Sequence, residues 1–372
     1  MKKWLKYTAL MALFGSLGSF LLTSCEKDTG IAGDPVIYYV RPTDAAVSDS
    51  LLSAGFLGSL VAIIGDNLQD VRQVWFNDQR ASLNPNYVTK TSIIVSIPNN
   101  TPREVNNLLR VVSGDGREAV YDFTVDIPEP QIESMQNEYA RAGETTTIYG
   151  NFFYEPLQVH FPGGVDGTVV AVTETSIQVT VPEGAEEGSI GVSTNFGAAE
   201  SGFHFRDSRN IFFGMDPQTG WWSDGYVGDA GSEIAINGNF LYYRGNVGDW
   251  GWADMAGGPV DAFGNRHLIP DEAIADPSAY NFKFEVNTLN PFDANAIKIL
   301  IGNFEDFDNA YIWTGPLDTQ GAWQTVVIPF ETIQATTDVG IRSEGYAFRF
   351  WWHGPGALDA DIAFDNFRLV PK

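Results

Sequence analysis

The sequence is short of cysteine, histidine and basic side chains, and each shortage excludes something. One cysteine, Cys25, serves all 372 residues, so no disulfide can form within the chain. Four scattered histidines give no paired metal-ligand spacing, and neither a Gly-x-Ser-x-Gly nor a His-Glu-x-x-His pattern occurs. Lys and Arg number 22 against 47 Asp and Glu, for a net charge of −25. Such a chain repels a phosphate backbone, and counterion release cannot drive its binding, which excludes nucleic acid as a partner. The acidity keeps the protein soluble and resists self-association. Strong helix formers do not dominate either. What is abundant is Gly (38), Pro (19) and aromatic residues (13%) within a 44% hydrophobic composition, a mixture that favours short strands and turns in ordinary globular domains. The length allows two or three of them.

The chain opens on Lys2, Lys3 and Lys6 and then an apolar run from Thr8 to Leu22 that is short for a bilayer span. This predicts a signal peptide over residues 1–24, to be left out of the fold. Its end, Leu22-Thr23-Ser24-Cys25, resembles a bacterial lipobox. That resemblance implies lipidation of Cys25, which would become the first residue of the mature chain. Each buried CH₂ of an acyl chain contributes about 0.8 kcal/mol, so several chains anchor a protein durably. Residues 25–35 then read as a flexible tether, and the acidic residues after Cys25 resemble surface-export signals of Bacteroidota lipoproteins.

From Pro35 to Arg206 the chain repeats itself. Val61-Ala-Ile-Ile-Gly65-Asp-Asn-Leu68, Val74-Trp-Phe76 and Val88-Thr-Lys-Thr-Ser92-Ile-Ile-Val95-Ser-Ile-Pro98 recur as Thr147-Ile-Tyr-Gly150-Asn-Phe-Phe153, Val159-His-Phe161 and Val172-Thr-Glu-Thr-Ser176-Ile-Gln-Val179-Thr-Val-Pro182. Gly65 and Gly150 are 85 positions apart, Pro98 and Pro182 84. Matching order over that distance is a duplicated module. Short alternating strands between turn signals predict two immunoglobulin-like sandwiches, over 36–128 and 129–206. The repeated motifs resemble IPT/TIG domains, modules that usually act as spacers or scaffolds. His160 and His204 fall in these strand patterns without a second ligand nearby and read as packed or surface histidines.

Residues 207–372 lack the repeat and hold eight of the ten tryptophans. Alternation places Tyr280, Phe282, Phe284 and Val286 on one strand face, with Asn281, Lys283 and Glu285 on the other. Ile297, Ile299 and Ile301, then Trp323–Phe330, then Tyr346–His353 and Asp361–Val370 supply further strands. The segment predicts one all-β sandwich with no helix. Trp323 and Trp352 belong to apolar strand faces and read as core, while Trp313 has no clear side. Trp250 and Trp252 lie in a Gly- and Asp-rich loop that is a poor interior strand, and large aromatics on such a loop point to ligand contact. One of Trp221 and Trp222 joins them if the pair is extended, as does Trp351, on the polar side of its strand with Arg349 and His353. Asp224, Arg244, Asp249, Asp254 and Arg349 are candidate polar helpers. Trp suits a flat hydroxylated ligand, because it offers a rigid apolar face and a polar N–H at its edge.

The strands around Lys283-Phe-Glu-Val, Ala322-Trp-Gln-Thr-Val-Val-Ile-Pro and Phe364-Asp-Asn-Phe-Arg-Leu-Val resemble carbohydrate-binding jelly rolls. Taken whole, the order of parts resembles a surface glycan-binding protein of Bacteroidota polysaccharide-utilisation systems: lipobox, IPT/TIG spacers, and a terminal domain of the kind first named for xyloglucan binding. The resemblance implies a lipid-anchored protein on the outer face of the outer membrane. It would hold a β-linked glucan or hemicellulose such as xyloglucan, mixed-linkage or β-1,3-glucan. Its protein partners would be a TonB-dependent transporter complex and surface glycoside hydrolases. It implies no catalysis and no catalytic cofactor, although a structural Ca²⁺, common in related jelly rolls, could use aspartates such as Asp207 and Asp365. Two other readings stand beside it: an adhesin or structural protein that binds another protein, and a glycoside hydrolase. The last needs two carboxylates about 5–10 Å apart, and no hydrolase motif surrounds any acid here.

Overall fold

A computed structural model of the chain describes residues 33–47, 49–216, 224–258, 269–302, 307–337 and 339–372. The signal-peptide, lipobox and tether expectations fall almost wholly outside those residues. The described chain is all-β apart from short helices, and it forms two compact units that divide between Asp126 and Ile127.

The first unit is a β-sandwich. One sheet orders Val36–Pro42, Leu60–Asp66 and Ser92–Ser96; the other orders Gln79–Arg80, Val71–Phe76, Leu108–Ser113 and Glu118–Asp122. Inward residues such as Ile63, Val74, Ile93 and Val111 are fully buried, as period-two alternation requires.

The second unit begins with the repeated module. Gln131–Met135, Thr145–Asn151 and Ser176–Thr180 pair as their counterparts do in the first unit, and so do Leu157–Phe161, Gly188–Thr194 and Gly197–Phe205. The sequence motifs recur because the same backbone contacts recur. A Cβ on Gly65 would lie 1.9 Å from the Val36 carbonyl oxygen, and one on Gly150 would lie 1.9 Å from that of Gln131. In both modules the partner strand shifts register beside that glycine, between Ile37 and Tyr39 and between Ile132 and Ser134. Thr89 and Thr173 each hydrogen-bond the hydroxyl of the serine three residues on, at 2.9 and 2.7 Å. The Thr-x-Thr-Ser signature is thus a turn whose side chains stand in for backbone partners.

The rest of the second unit packs two antiparallel sheets face to face. The larger orders Val227–Gly228, Phe240–Val247, Leu358–Pro371, Tyr280–Thr288 and Gln324–Pro329, with Ile211–Phe213 also pairing on Leu358–Pro371. The smaller orders Ala253–Gly258, Ala347–Trp352, Ile297–Gly302 and Tyr311–Trp313. Phe282, Phe284, Phe350, Phe364 and Phe367 fill the space between them. Phe364 and Phe367 are three residues apart yet share the core, because the backbone bulges between them with Asn366 at φ 51°.

One expectation fails here. Among its described residues the domain holds two α-helices, Asp271–Ala275 and Phe330–Thr337. Pro329 ends the preceding strand, and Phe330, Ile333 and Thr337 turn inward at helical spacing. The segment Phe-Glu-Thr-Ile-Gln-Ala-Thr-Thr has poor helix propensity, so burial of that face rather than local preference makes the helix.

The outward face of the larger sheet is not left to solvent. Glu138 of the repeated module reaches Lys283 Nζ at 2.6 Å and Arg368 Nη2 at 2.8 Å, and Arg368 also pairs with Glu285. All four side chains are at most 4% exposed. Burial would lower the Arg368 pKa, but Glu285 and Glu138 carry it above its ordinary range. The Glu138 N–H donates to Thr325 Oγ1, the Thr325 N–H to the Gln136 carbonyl, and the Tyr139 hydroxyl to the Asp207 carbonyl. Module and terminal sandwich are therefore joined by buried ion pairs and hydrogen bonds rather than by a bare linker.

Candidate functional site

The Gly248–Trp252 turn leads into the Ala253–Gly258 strand at the edge of the smaller sheet. It is pinned from several sides. The Gly251 N–H donates to the Gly248 carbonyl at 2.8 Å, and a Cβ on Gly251 would crowd the Gly248 backbone at 2.9 Å. Asn295 Nδ2 also donates to the Gly248 carbonyl, Asp249 Oδ1 accepts from the Gly356 N–H at 2.6 Å, and the Trp250 N–H donates to the Gly354 carbonyl. Trp250 itself sits at φ 52°, a left-handed conformation that costs about 1–3 kcal/mol for a residue with a Cβ and persists only where surrounding structure over-determines it.

The turn leaves two indoles at the surface: Trp250 is 58% exposed and Trp252 48%. Behind them stands a stack built from the next strand. Trp351 is fully buried, its ring centroid 5.7 Å from that of Trp252. Arg349, 5% exposed, lies 5.0 Å from the Trp252 ring, 4.9 Å from Trp351 and 4.2 Å from Phe307. A guanidinium enclosed by ring faces gains cation–π attraction, and its charge is met by Asp254, which accepts from Arg349 Nε at 2.7 Å. The other Asp254 oxygen accepts from Trp252 Nε1 at 2.9 Å. Trp252 is thus fixed at its edge by a carboxylate and along its face by a cation and a second indole. His353 completes the surface, 5.5 Å from the Trp250 ring and 5.0 Å from Trp252. On the same sheet face, Lys298 opposes Trp351 in register and Ile312, 56% exposed, opposes Lys298.

The sequence candidates divide accordingly. Trp250, Trp252, Asp249, Asp254, Arg349 and Trp351 come together at one place. Trp351 and Arg349, however, are enclosed: they form the support under Trp252, not part of the exposed face. Arg244 lies elsewhere, on the larger sheet, stacked on Tyr242 and paired with Asp361 at 3.0 Å. Trp221 and Trp222 fall outside the described residues, and Asp224 opens a one-turn 3-10 segment, Asp224–Tyr226. Trp323 packs with Phe240 and donates to the Ile234 carbonyl, Trp352 is fully buried, and Trp313 lies half-buried against Phe284 and Phe292. His353 and Phe307 were missing from the candidate list. His353 was legible as sharing the polar strand face with Trp351; Phe307 carries no sequence signal, since only folding brings it to Arg349.

Asp207 and Asp365 have different immediate partners. Asp207 lies with Glu187 and His204, ligand atoms within 4.8 Å of one another. Both Asp207 oxygens accept from Arg209, and both Glu187 oxygens accept from Ser208, so the trio's carboxylates are already engaged and suit a cation poorly. Asp365 is 1% exposed; one oxygen accepts from the Asn366 N–H, and Oδ2 has no partner among the described residues. Burial pushes its pKa well above the usual carboxylate range, and the charges of Glu285 and Asp216 add to the rise. His160 sits on the repeated module between Asp166 and Ser193, at 2.7 and 2.8 Å.

With this geometry in place, comparison with known proteins shows what each part of the chain is similar to. Residues 205–371 match the family described as the surface glycan-binding protein B xyloglucan binding domain. That match spans nearly all of the terminal domain. Residues 46–125 match the IPT/TIG domain family. An IPT/TIG domain-containing protein of Bacteroides ovatus is 34% identical over 145 residues, 37% of this chain and 29% of that protein; the chain spans under a third of that curated relative. The crystal structure of the surface glycan-binding protein PbSGBP-B from Prevotella bryantii shares the fold. Its TM-score is 0.66 at 22% identity, covering 91% of this chain and 99% of that one. A second surface glycan-binding protein B, from a complex xyloglucan utilization locus in Bacteroides uniformis, is 18% identical, with a TM-score of 0.49 over 91% of this chain and 100% of that one. Within residues 205–371, the exposed indoles sit on the turn that leads into the smaller sheet.

Proposed function

We propose that the protein is a surface glycan-binding protein that lays a neutral polysaccharide across Trp250 and Trp252 and holds it for partner proteins. The observation that carries this reading is the pair of exposed indoles on a strained turn pinned from several sides, with Trp252 held from behind by Trp351, Arg349 and Asp254. A sugar ring offers a face of C–H bonds bordered by hydroxyls. It therefore stacks on a rigid indole and hydrogen-bonds at the rim. Asp249 and Asp254 are engaged by protein donors, so the surface offers a substrate ring faces more than charge. The binding assigns no role to a metal.

The glycan class follows from the family of the terminal domain, whose name specifies xyloglucan. We assign a β-linked glucan or hemicellulose, with xyloglucan, mixed-linkage and β-1,3-glucan as the members to compare. Cys25 would carry the lipid that holds the protein at the outer surface of the outer membrane, beside a TonB-dependent transporter complex and surface glycoside hydrolases. A few stacked sugars imply micromolar to millimolar affinity, about −8 to −4 kcal/mol. That suffices when many anchored copies engage one polymer. Catalysis is not part of the proposal. The hydrogen-bonded Ser193, His160 and Asp166 lie on strands of the repeated module, and Ser193 is paired on both sides, where backbone N–H groups serve the sheet rather than an oxyanion.

The test is affinity electrophoresis of the full chain through gels containing each glucan, with release of reducing ends followed at high protein concentration. Retardation without turnover is expected. Unchanged migration in every gel would favour a protein-binding adhesin, and turnover would make the protein a hydrolase.

A further inference from the structure

Resting on that reading, we infer that His353 is the specificity-determining residue of the platform: its outer ring nitrogen hydrogen-bonds the glycan between the sugars that stack on Trp250 and Trp252. His353 follows the last residue of the Ala347–Trp352 strand, and its backbone N–H donates to the Ala296 carbonyl at 3.0 Å, which fixes where the side chain starts. The imidazole is flanked by both exposed indoles, tilted 64° to Trp250 and 50° to Trp252. Its Nδ1 is buried and has no partner among the described residues. The residue as a whole is half-buried, so the ring presents Nε2 as its polar edge to anything laid over the indoles.

Stacking alone discriminates poorly, because many sugars offer a C–H face. Polar groups of fixed position provide orientation and selectivity. A site built to hydrogen-bond a substrate hydroxyl also rejects ligands that lack it, because the protein group is then left unpaired. Among the groups around the indoles, Asp254 is engaged by Trp252 and Arg349, and Asp249 by Gly356. Among the described polar side chains around the indoles, His353 is the one that packs against both rings. The ligand class it fits is an uncharged, hydroxylated chain whose successive rings keep a regular orientation over the two indoles.

The experiment compares the full chain with its His353→Phe, His353→Gln and Trp252→Ala variants, titrated calorimetrically with soluble xyloglucan, mixed-linkage β-glucan and β-1,3-glucan. His353→Phe keeps an aromatic ring and removes the polar edge. It should bind the preferred glucan about tenfold more weakly, the scale of one lost hydrogen bond, and should flatten the ranking among the three. His353→Gln returns a side-chain N–H and should recover part of both. Parent-like affinity and ranking in His353→Phe, with binding lost in Trp252→Ala, would overturn the role of His353 while leaving the platform standing. Parent-like binding in Trp252→Ala and in a Trp250→Ala/Trp252→Ala double variant would overturn the platform and this inference with it. If His353→Phe does not fold, His353→Leu against His353→Gln applies the same comparison.

Discussion

Trp250 and Trp252 differ from Trp351 and Trp352 in what covers the outer side of the ring. Trp351 and Trp352 are enclosed on both faces, so Trp352→Ala and Trp351→Ala should each lower unfolding free energy by about 3–5 kcal/mol, read from denaturant midpoints. Trp250 is mostly solvated, and Trp250→Ala should change stability by less than about 1 kcal/mol while weakening glucan retention. Strand alternation correctly put Trp351 with Arg349 and His353. It could not show that this side is roofed, because the cover comes from Trp252, distant in sequence and adjacent only through the Asp254–Trp351 register. Asp365 gives a pH prediction. Its folded-state pKa is raised by burial, so between the ordinary aspartate value and that raised value the folded state binds more protons than the unfolded one, and stability falls as pH rises through this window. Asp365→Asn should therefore raise the melting temperature at neutral pH in chelator-treated buffer, with the gain shrinking toward low pH. A loss of stability at neutral pH would contradict it.

At the level of elements, the duplicated module was legible because its motifs are backbone requirements. Gly150 faces a carbonyl that excludes any Cβ, and Gly150→Ala should cost at least about 1–3 kcal/mol, the scale of overpacking, measured by chemical denaturation. The same cost is expected for Gly65→Ala in the first unit. The Phe330–Thr337 helix was hidden because its Thr- and Ile-containing sequence suits a strand, and only the spacing of Phe330, Ile333 and Thr337 favours a helix. The bulge at Asp365–Asn366 was hidden for a related reason. It reverses alternation after Phe364, so a strict period of two assigns Phe367 to the wrong face.

At the scale of the molecule, the sequence suggested modules strung as spacers, and the buried charges within residues 127–372 revise that picture. Lys283 and Glu285 looked like the outward half of an alternating strand; the repeated module covers them and supplies Glu138 as the partner of Lys283 and of Arg368, which in turn pairs with Glu285. Removing one member of a buried ion cluster leaves an uncompensated charge, so Glu138→Ala should cost about 3–5 kcal/mol. A fragment of residues 207–372 should unfold at a lower temperature than one of residues 127–372; equal midpoints would show that the junction adds nothing to the terminal domain. The central claim, that the exposed indoles of the pinned turn form the glycan surface, is tested most directly by affinity electrophoresis. The full chain and its Trp250→Ala/Trp252→Ala variant would be run through gels of xyloglucan, mixed-linkage and β-1,3-glucan. The predicted result is retardation of the parent in at least one gel, lost in the variant at an unchanged melting temperature. Equal retardation of parent and variant would contradict the account.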